Sequence, residues 1–218
     1  MIIESRFNGP PGSGNGGWSA GLFAAAYGGP GVVEVTLRRP PPLETPLTLA
    51  GGDVHDPDGN LVAEVRETGQ IEAVVPPVDL ATARAAAAAY PGLVDHPFPG
   101  CYVCGPRRAD GLRIFPGRLP DGRTAAPFRA PAEVEVPTVW AALDCPGGWS
   151  VIAPGRPYVL GRIAATVRAL PAPGDECVVT GATVGGEGRK ALVHTSLYGP
   201  TGDLLGTARA TWVALPAG

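Results

Sequence analysis

Val35-Thr36-Leu37-Arg38, followed by prolines at 40 to 42, returns 130 positions later as Ala165-Thr166-Val167-Arg168, followed by Pro171 and Pro173. Further along, Asp58-Gly59-Asn60-Leu61-Val62-Ala63 is echoed by Thr201-Gly202-Asp203-Leu204-Leu205-Gly206. In each echo a tight turn feeds an alternating strand. The period is far longer than the roughly 20–50 residues of solenoid and propeller units, so each copy should be a compact half with its own elements. At 218 residues the chain is long enough for two such halves to share a core.

The first copy reads as a short strand at Ser5 to Phe7, a Pro- and Gly-rich loop from Asn8 to Asn15, and a small-residue helix from Gly16 to Ala26. Gly28-Gly29-Pro30 should stop that helix. Strands are expected at Val32 to Arg38, Leu47 to Leu49 and Leu61 to Glu67, with a short one near Val54. Asp79 is a fair N-cap for an alanine-rich helix closed by Pro91, a linker with no chemistry of its own. The second copy predicts strands at Leu112 to Phe115 and Thr124 to Arg129 around the turn Pro120-Asp121-Gly122, then a helix from Thr138 to Asp144 ending near Pro146-Gly147-Gly148. Four strands follow, Leu160 to Leu170, Glu176 to Thr183, Ala191 to Tyr198 and Leu204 to Leu215. Gly16-Gly17-Trp18-Ser19 and Gly147-Gly148-Trp149-Ser150 are identical words, but one falls at a helix start and the other at a helix end, so they are not equivalent positions.

Composition is that of a globular protein, with 44% hydrophobic and 17% charged residues, while 32 Gly and 26 Pro point to many turns and few long helices. Seventeen basic against 20 acidic residues give a net charge of −3, so nucleic acid is not an expected partner. No stretch is long and apolar enough for a membrane span. The opening residues lack the pattern of a secretory signal, and with four cysteines the expectation is reduced thiols in a cytoplasmic protein.

Three segments narrow the fold: Cys101-Tyr102-Val103-Cys104-Gly105-Pro106, Asp110-Gly111-Leu112-Arg113-Ile114-Phe115, and Val139-Trp140-Ala141-Ala142-Leu143-Asp144. Their succession resembles the opening of hotdog-fold thioesterases, specifically over about 95–170 and by topology elsewhere. The resemblance implies an α+β tandem double hotdog, two antiparallel sheets each wrapped around a central helix. The expected units are 1–78, a linker helix at 79–94, and 95–218.

The same resemblance implies hydrolysis of acyl-CoA or another acyl thioester. In the family a His-Gly-Gly opens the helix, a backbone N–H binds the thioester oxygen, and a carboxylate nine positions after the histidine acts with the glycine end of the partner unit. In the first copy Asn15-Gly16-Gly17 fits the glycine motif with Asn for His, but the acid position holds Ala24. In the second, Asp144 fits the acid, but the glycine positions read Glu135-Val136-Pro137. The losses are complementary, and one composite site per chain is expected, with Asp144, Gly16 and Gly17 catalytic.

Physical chemistry supports those residue types. N–H groups at a helix N-terminus are preorganised to receive the negative charge that gathers on an attacked carbonyl, and a glycine lets substrate approach the backbone. A carboxylate among Trp140, Ala142 and Leu143 would be partly desolvated and could serve as nucleophile or general base. Asn8 and Asn15 are the nearest amides to hold substrate, although turn asparagines are commoner. Arg107 and Arg108 head a cluster of six arginines over 107–129, with Asp110 and Asp121 between them, that could meet coenzyme A phosphates. Family members carry a Ser or Thr near the start of the strand after the helix, where this chain has Gly161.

Cys101 and Cys104 form a lone Cys-x-x-Cys. Zinc needs four ligands, and only His96, Cys145 and Cys177 remain to complete a set, so no metal centre is expected and a turn held by Gly105-Pro106 is the expected role. No cofactor is expected either. A noncatalytic acyl-ligand or acyl-CoA binding protein is the alternative, favoured by the missing His and by Gly161. A dehydratase ranks below both, because His55, His96 and His194 fall outside the helix segments. An exposed sheet edge could take a second copy, making a homodimer.

Overall fold

Asn15 starts the first helix, α1 (Gly16–Tyr27), by accepting the Trp18 N–H on its side-chain oxygen at 2.9 Å. Gly28 ends it in the left-handed region, φ 67°, with its N–H on the Ala24 carbonyl. The computed structural model describes residues 1–29 and 31–216, so Pro30 of the expected helix stop lies outside the described residues. Strands β1 (Val32–Leu37), β2 (Thr48–Ala50), β3 (Asp53–His55) and β4 (Leu61–Thr68) follow, close to their predicted bounds. Asp79 caps α2 (Leu80–Ala88) through the Thr82 N–H at 2.7 Å. That helix seats Ala83 and Ala86 in a small apolar cluster with Ala125 and Val178.

The second half contains β5 (Gly117–Arg118), β6 (Thr124–Arg129), α3 (Val136–Trp149), β7 (Tyr158–Val167), β8 (Glu176–Glu187), β9 (Lys190–Tyr198) and β10 (Leu204–Ala214). Two predicted strands are absent. Ser5–Phe7 is one 3-10 turn, closed by the Phe7 N–H on the Glu4 carbonyl. Around Leu112 to Phe115 the amides of Leu112 and Ile114 bond the carbonyls of Tyr102 and Val103 at 2.8 and 2.9 Å, and Arg113 between them sits at φ 54°, outside strand geometry.

Helix α3 runs further than the sequence implies. Pro146, Gly147 and Gly148 lie inside it, and Asp144 is mid-helix rather than at its end. Packing overrides the helix-breaking residues here. A Cβ on Gly147 would meet Val193 at 2.6 Å, and one on Gly148 would meet the Trp212 ring at 2.5 Å. Two side-chain hydroxyls support carbonyls in this stretch: Thr195 donates to Leu143 O at 2.6 Å and Thr124 to Pro146 O at 2.7 Å. Every residue from Pro137 to Trp149 is buried, as expected for a helix that is apolar all round.

The strands form one ten-stranded antiparallel sheet, in the order β2-β3-β4-β1-β7-β10-β9-β8-β6-β5. The expectation of two separate sheets is therefore corrected. The joint is β1 against β7, with Val33, Val35 and Thr36 opposite Ala165, Ile163 and Arg162. Each of these is the first strand after a helix and would otherwise be an open edge, and pairing them satisfies both rows of amides. On either side the order repeats: β1-β4-β3-β2 one way and β7-β10-β9-β8 the other. Helix α1 lies against β1, β2, β4 and β7, α3 lies against β6 to β10, and the two helices pack on each other.

Candidate active site

The contact between α1 and α3 is close because α1 offers glycine there. A Cβ on Gly17 would lie 2.5 Å from Asp144 Cβ and 2.7 Å from the Trp140 carbonyl, and one on Gly21 would lie 2.7 Å from Pro137 Cα. Contacts that advance along α1 as they retreat along α3 make the helices antiparallel. This approach brings Asp144 Oδ2 to 2.9 Å from the Gly17 N–H and 3.5 Å from Asn15 Nδ2.

The approach to α1 is fixed by its loop. The Gly9 N–H bonds Ser13 O at 2.9 Å, Gly14 N–H bonds Pro41 O at 2.8 Å, and Asn15 N–H bonds Phe7 O at 2.7 Å. Phe7 stacks on Trp18 with ring centroids 3.6 Å apart. The helix end is thereby held as a fixed donor.

Asp144 is 2% exposed, and Oδ1 has no hydrogen-bond partner among the described residues. Burial pushes its carboxyl up to about 7, the Gly17 N–H and the Asn15 amide pull it back, and the neighbouring Cys101 adds to the rise. A carboxyl so placed exchanges its proton near neutrality, as a general base or acid must.

Asn15, Gly16 and Asp144 line a cavity of about 50 Å3, whose apolar wall includes Trp149, Ile152 and Leu160. That is room for a reacting carbonyl and water, not for a chain. Larger grooves of about 500 and 450 Å3 adjoin it on two sides. The first shares Trp149 and Ile152 and continues over Pro91, Val94 and Pro154. The second shares Gly16 and Leu160 and reaches Arg38 and Arg39.

The sequence-predicted residues divide. Asp144, Gly16, Gly17 and Asn15 come together. The two glycines are needed for packing as well as for access, since a Cβ on Gly16 would meet the Leu160 side chain at 2.9 Å. The Gly17 N–H is spent on Asp144, while the Gly16 N–H has no partner among the described residues and Gly16 lines the cavity. Asn8 is outside the cavity: its amide N–H donates to Gly100 O at 3.0 Å, and its oxygen accepts from Arg108. Arg108 is likewise engaged, with Asp110 at 2.5 Å and the Arg6 carbonyl at 2.7 Å. Arg107 is exposed and lines none of the three grooves. Two further arginines of the cluster are engaged, Arg118 with the Ile152 carbonyl at 3.1 Å and Arg123 with Asp121 and the Pro76 carbonyl.

Several cavity residues were not foreseen as site residues. Trp212 lines the wall, and its indole N–H is buried without a partner among the described residues. His96 also lines it, so lying outside the helices did not keep that histidine away. Its Nδ1 accepts the Phe98 N–H at 2.8 Å, and burial lowers its basicity. Cys101, Cys104 and Cys145 line the same cavity, whereas Cys177 is on β8. Of the three, the Cys101 thiol is held well below its ordinary range by the Cys104 and Cys145 sulfhydryls and by backbone N–H groups. The Cys145 thiol, hydrogen-bonded to the other two and buried, is pushed up. The sequence signalled this grouping through the Cys101-x-x-Cys104 spacing and the adjacency of Cys145 to Asp144.

No protein-family model matches the sequence, and no curated relative does. The fold has full-length counterparts among solved structures. A candidate thioesterase from Novosphingobium aromaticivorans shares 19% identity at a TM-score of 0.64, covering 99% of this chain and 94% of its own. A conserved protein of unknown function with hot dog fold from Alicyclobacillus acidocaldarius shares 16% identity at a TM-score of 0.59, covering 99% and 92%. One sheet closed over two antiparallel helices, matched end to end by these structures, gives this chain the hotdog fold.

Proposed function

We propose that the chain is a double-hotdog thioesterase, with units at 1–78 and 95–218 joined by 79–94, that hydrolyses an acyl-CoA or related acyl thioester at one composite site. The observation that carries this reading is the buried Asp144 carboxylate of α3 held 2.9 Å from the Gly17 N–H of α1 at the wall of a small cavity.

In this reading the thioester carbonyl enters the cavity with its oxygen toward the free Gly16 N–H at the positive end of α1. Asp144, deprotonated, takes a proton from water as the water attacks the carbonyl carbon; alternatively it attacks that carbon itself, and water then cleaves the resulting anhydride to free the acid and Asp144. In either route the attack breaks the C–S bond and the thiolate leaves with a proton. Asn15 orients the carboxylate, and the Trp212 N–H is a second donor for substrate or water. The apolar groove over Val94 and Ile152 suits the acyl group. The groove ending at Arg38 and Arg39 suits a pantetheine arm, with Arg39 toward the coenzyme A phosphates while Arg38 pairs with Glu64. Four unpaired cysteines suit a reducing compartment, and the cytoplasm is the location this reading assigns.

Incubation with a panel of acyl-CoA esters of graded length, read by free thiol release, tests the proposal. Turnover that depends on chain length supports it. Gly161 supplies no hydroxyl to the site, which favours a second reading as an acyl-CoA binding protein; tight binding with no thiol released over long incubation would establish that instead.

A further inference from the structure

Three thiols the hydrolytic reading does not use face one another beside its cavity. Cys101 and Cys104 lie on the loop before β5, and Cys145 is on α3. Their Sγ atoms all lie within 4.8 Å of one another. Each residue is at most 4% exposed, and none is in a disulfide.

Hydrogen-bond donors lie beside two of the three sulfurs. Cys101 and Cys104 share the turn that the Gly105 N–H closes on the Cys101 carbonyl at 2.9 Å. Asn15 Nδ2 is 3.7 Å from Cys101 Sγ. His96 Nε2 is 3.5 Å from Cys104 Sγ. Because the Phe98 N–H occupies Nδ1 at 2.8 Å, the neutral ring carries its proton on Nε2 and donates to sulfur. One N–H donor thus reaches each of two sulfurs from outside the cluster, the place of an outer-shell group at a metal site. Between the sulfurs there is no positive charge.

We propose that Cys101, Cys104 and Cys145 form a three-thiolate site for a soft d10 cation, Zn2+, with the fourth coordination position open to the cavity. Zn–S bonds of about 2.3 Å put thiolates about 3.8 Å apart in a tetrahedral site, so the cluster closes by up to about 1 Å on loading. Thiolate ligands select soft ions over Mg2+ or Ca2+. Binding forms three Zn–S bonds, and the thiol protons pass to solvent. The cavity that all three cysteines line is the entry path. His96 acts as a hydrogen-bond donor to Cys104, not as a ligand. This site stands independently of the hydrolytic reading, since its readout is metal content and spectrum.

The full chain, reduced and stripped with chelator, would be titrated with Co2+ and then Zn2+. The expected result is one ion per chain, thiolate-to-cobalt charge-transfer absorption, and displacement of cobalt by one equivalent of zinc. Cys177→Ser should behave as wild type, and Cys145→Ser should bind at least about a hundredfold more weakly, exceeding the loss from outer-shell changes, with far-ultraviolet circular dichroism confirming the fold. Substoichiometric binding by the wild type, or unchanged affinity in folded Cys145→Ser, would overturn the site. If that variant does not fold, zinc X-ray absorption of the wild type decides: three sulfur neighbours support the site, and a shell of nitrogen and oxygen alone refutes it.

Discussion

The first turns of α1 and α3 occupy equivalent places in the two halves of the sheet and have opposite chemistry. At α1, Asn15 caps with its side chain, Gly16 leaves its N–H free at the cavity, and Gly17 admits the other helix. At α3, Glu135 caps, its own N–H is taken by the Thr138 hydroxyl at 3.2 Å, and Pro137 has no N–H. The acid shows the reverse bias. Nine positions past its cap α3 carries the buried Asp144, and α1 carries the half-buried Ala24. The difference teaches that two halves of like topology can carry opposite helix ends; in the proposed reading one pair of ends works and the other is closed with proline, a cap and alanine.

Removing the acid should have the largest effect. Asp144→Asn should lower thiol release by about 10²- to 10⁴-fold, the usual contribution of a positioned base. Gly17→Ala comes next: its methyl would press on Asp144 Cβ and the Trp140 carbonyl, costing about 1–3 kcal/mol or more in thermal or denaturant melts together with activity. Pro137→Ala, the counterpart at the unused end, should leave turnover unchanged. A large loss in Pro137→Ala would erase the asymmetry between the helices.

The Asp144 carboxyl also sets a pH dependence of stability. Its folded value is raised from 3.8 to about 7, so the native state binds the proton more tightly than the unfolded chain. The resulting stabilisation is complete below about pH 4, declines as pH rises to about 7, and is absent above, on the order of 4 kcal/mol in all. In chelator-treated protein, Asp144→Asn should flatten that part of the stability curve and melt higher than wild type at pH 8. Equal slopes in the two proteins would contradict the burial of the charge. Trp212→Phe should have the smallest effect, lowering kcat/KM about two- to tenfold through one lost hydrogen bond; an unchanged kcat/KM would remove the indole N–H from the site.

Local signals carried much of this structure. Asp79 announced its helix because a cap is a contact within three residues, and alternation marked the long strands. The meeting of Gly16-Gly17 with Asp144 was legible through the complementary losses in the two copies. What escaped was set by distant partners. The β1–β7 joint depends on edges 130 residues apart in sequence, and α3 continues through Pro146-Gly147-Gly148 because Val193, Thr195 and Trp212 leave no room for larger residues. Asn8 and Arg108 looked available for ligands until the fold brought them to each other. His96, Cys101 and Cys104 lie on an irregular loop, and their meeting with Cys145 of α3 depends on how that loop packs.

The central claim is that one site draws its donor from α1 and its acid from α3. It is tested most directly by a crystal structure with an acyl-CoA analogue in which a methylene replaces the thioester sulfur. The account predicts the ketone oxygen within about 3 Å of the Gly16 N–H, with the carbonyl carbon facing Asp144. An analogue seated at the Ala24 and Glu135 end, or with its carbonyl away from both Gly16 and Asp144, would contradict it.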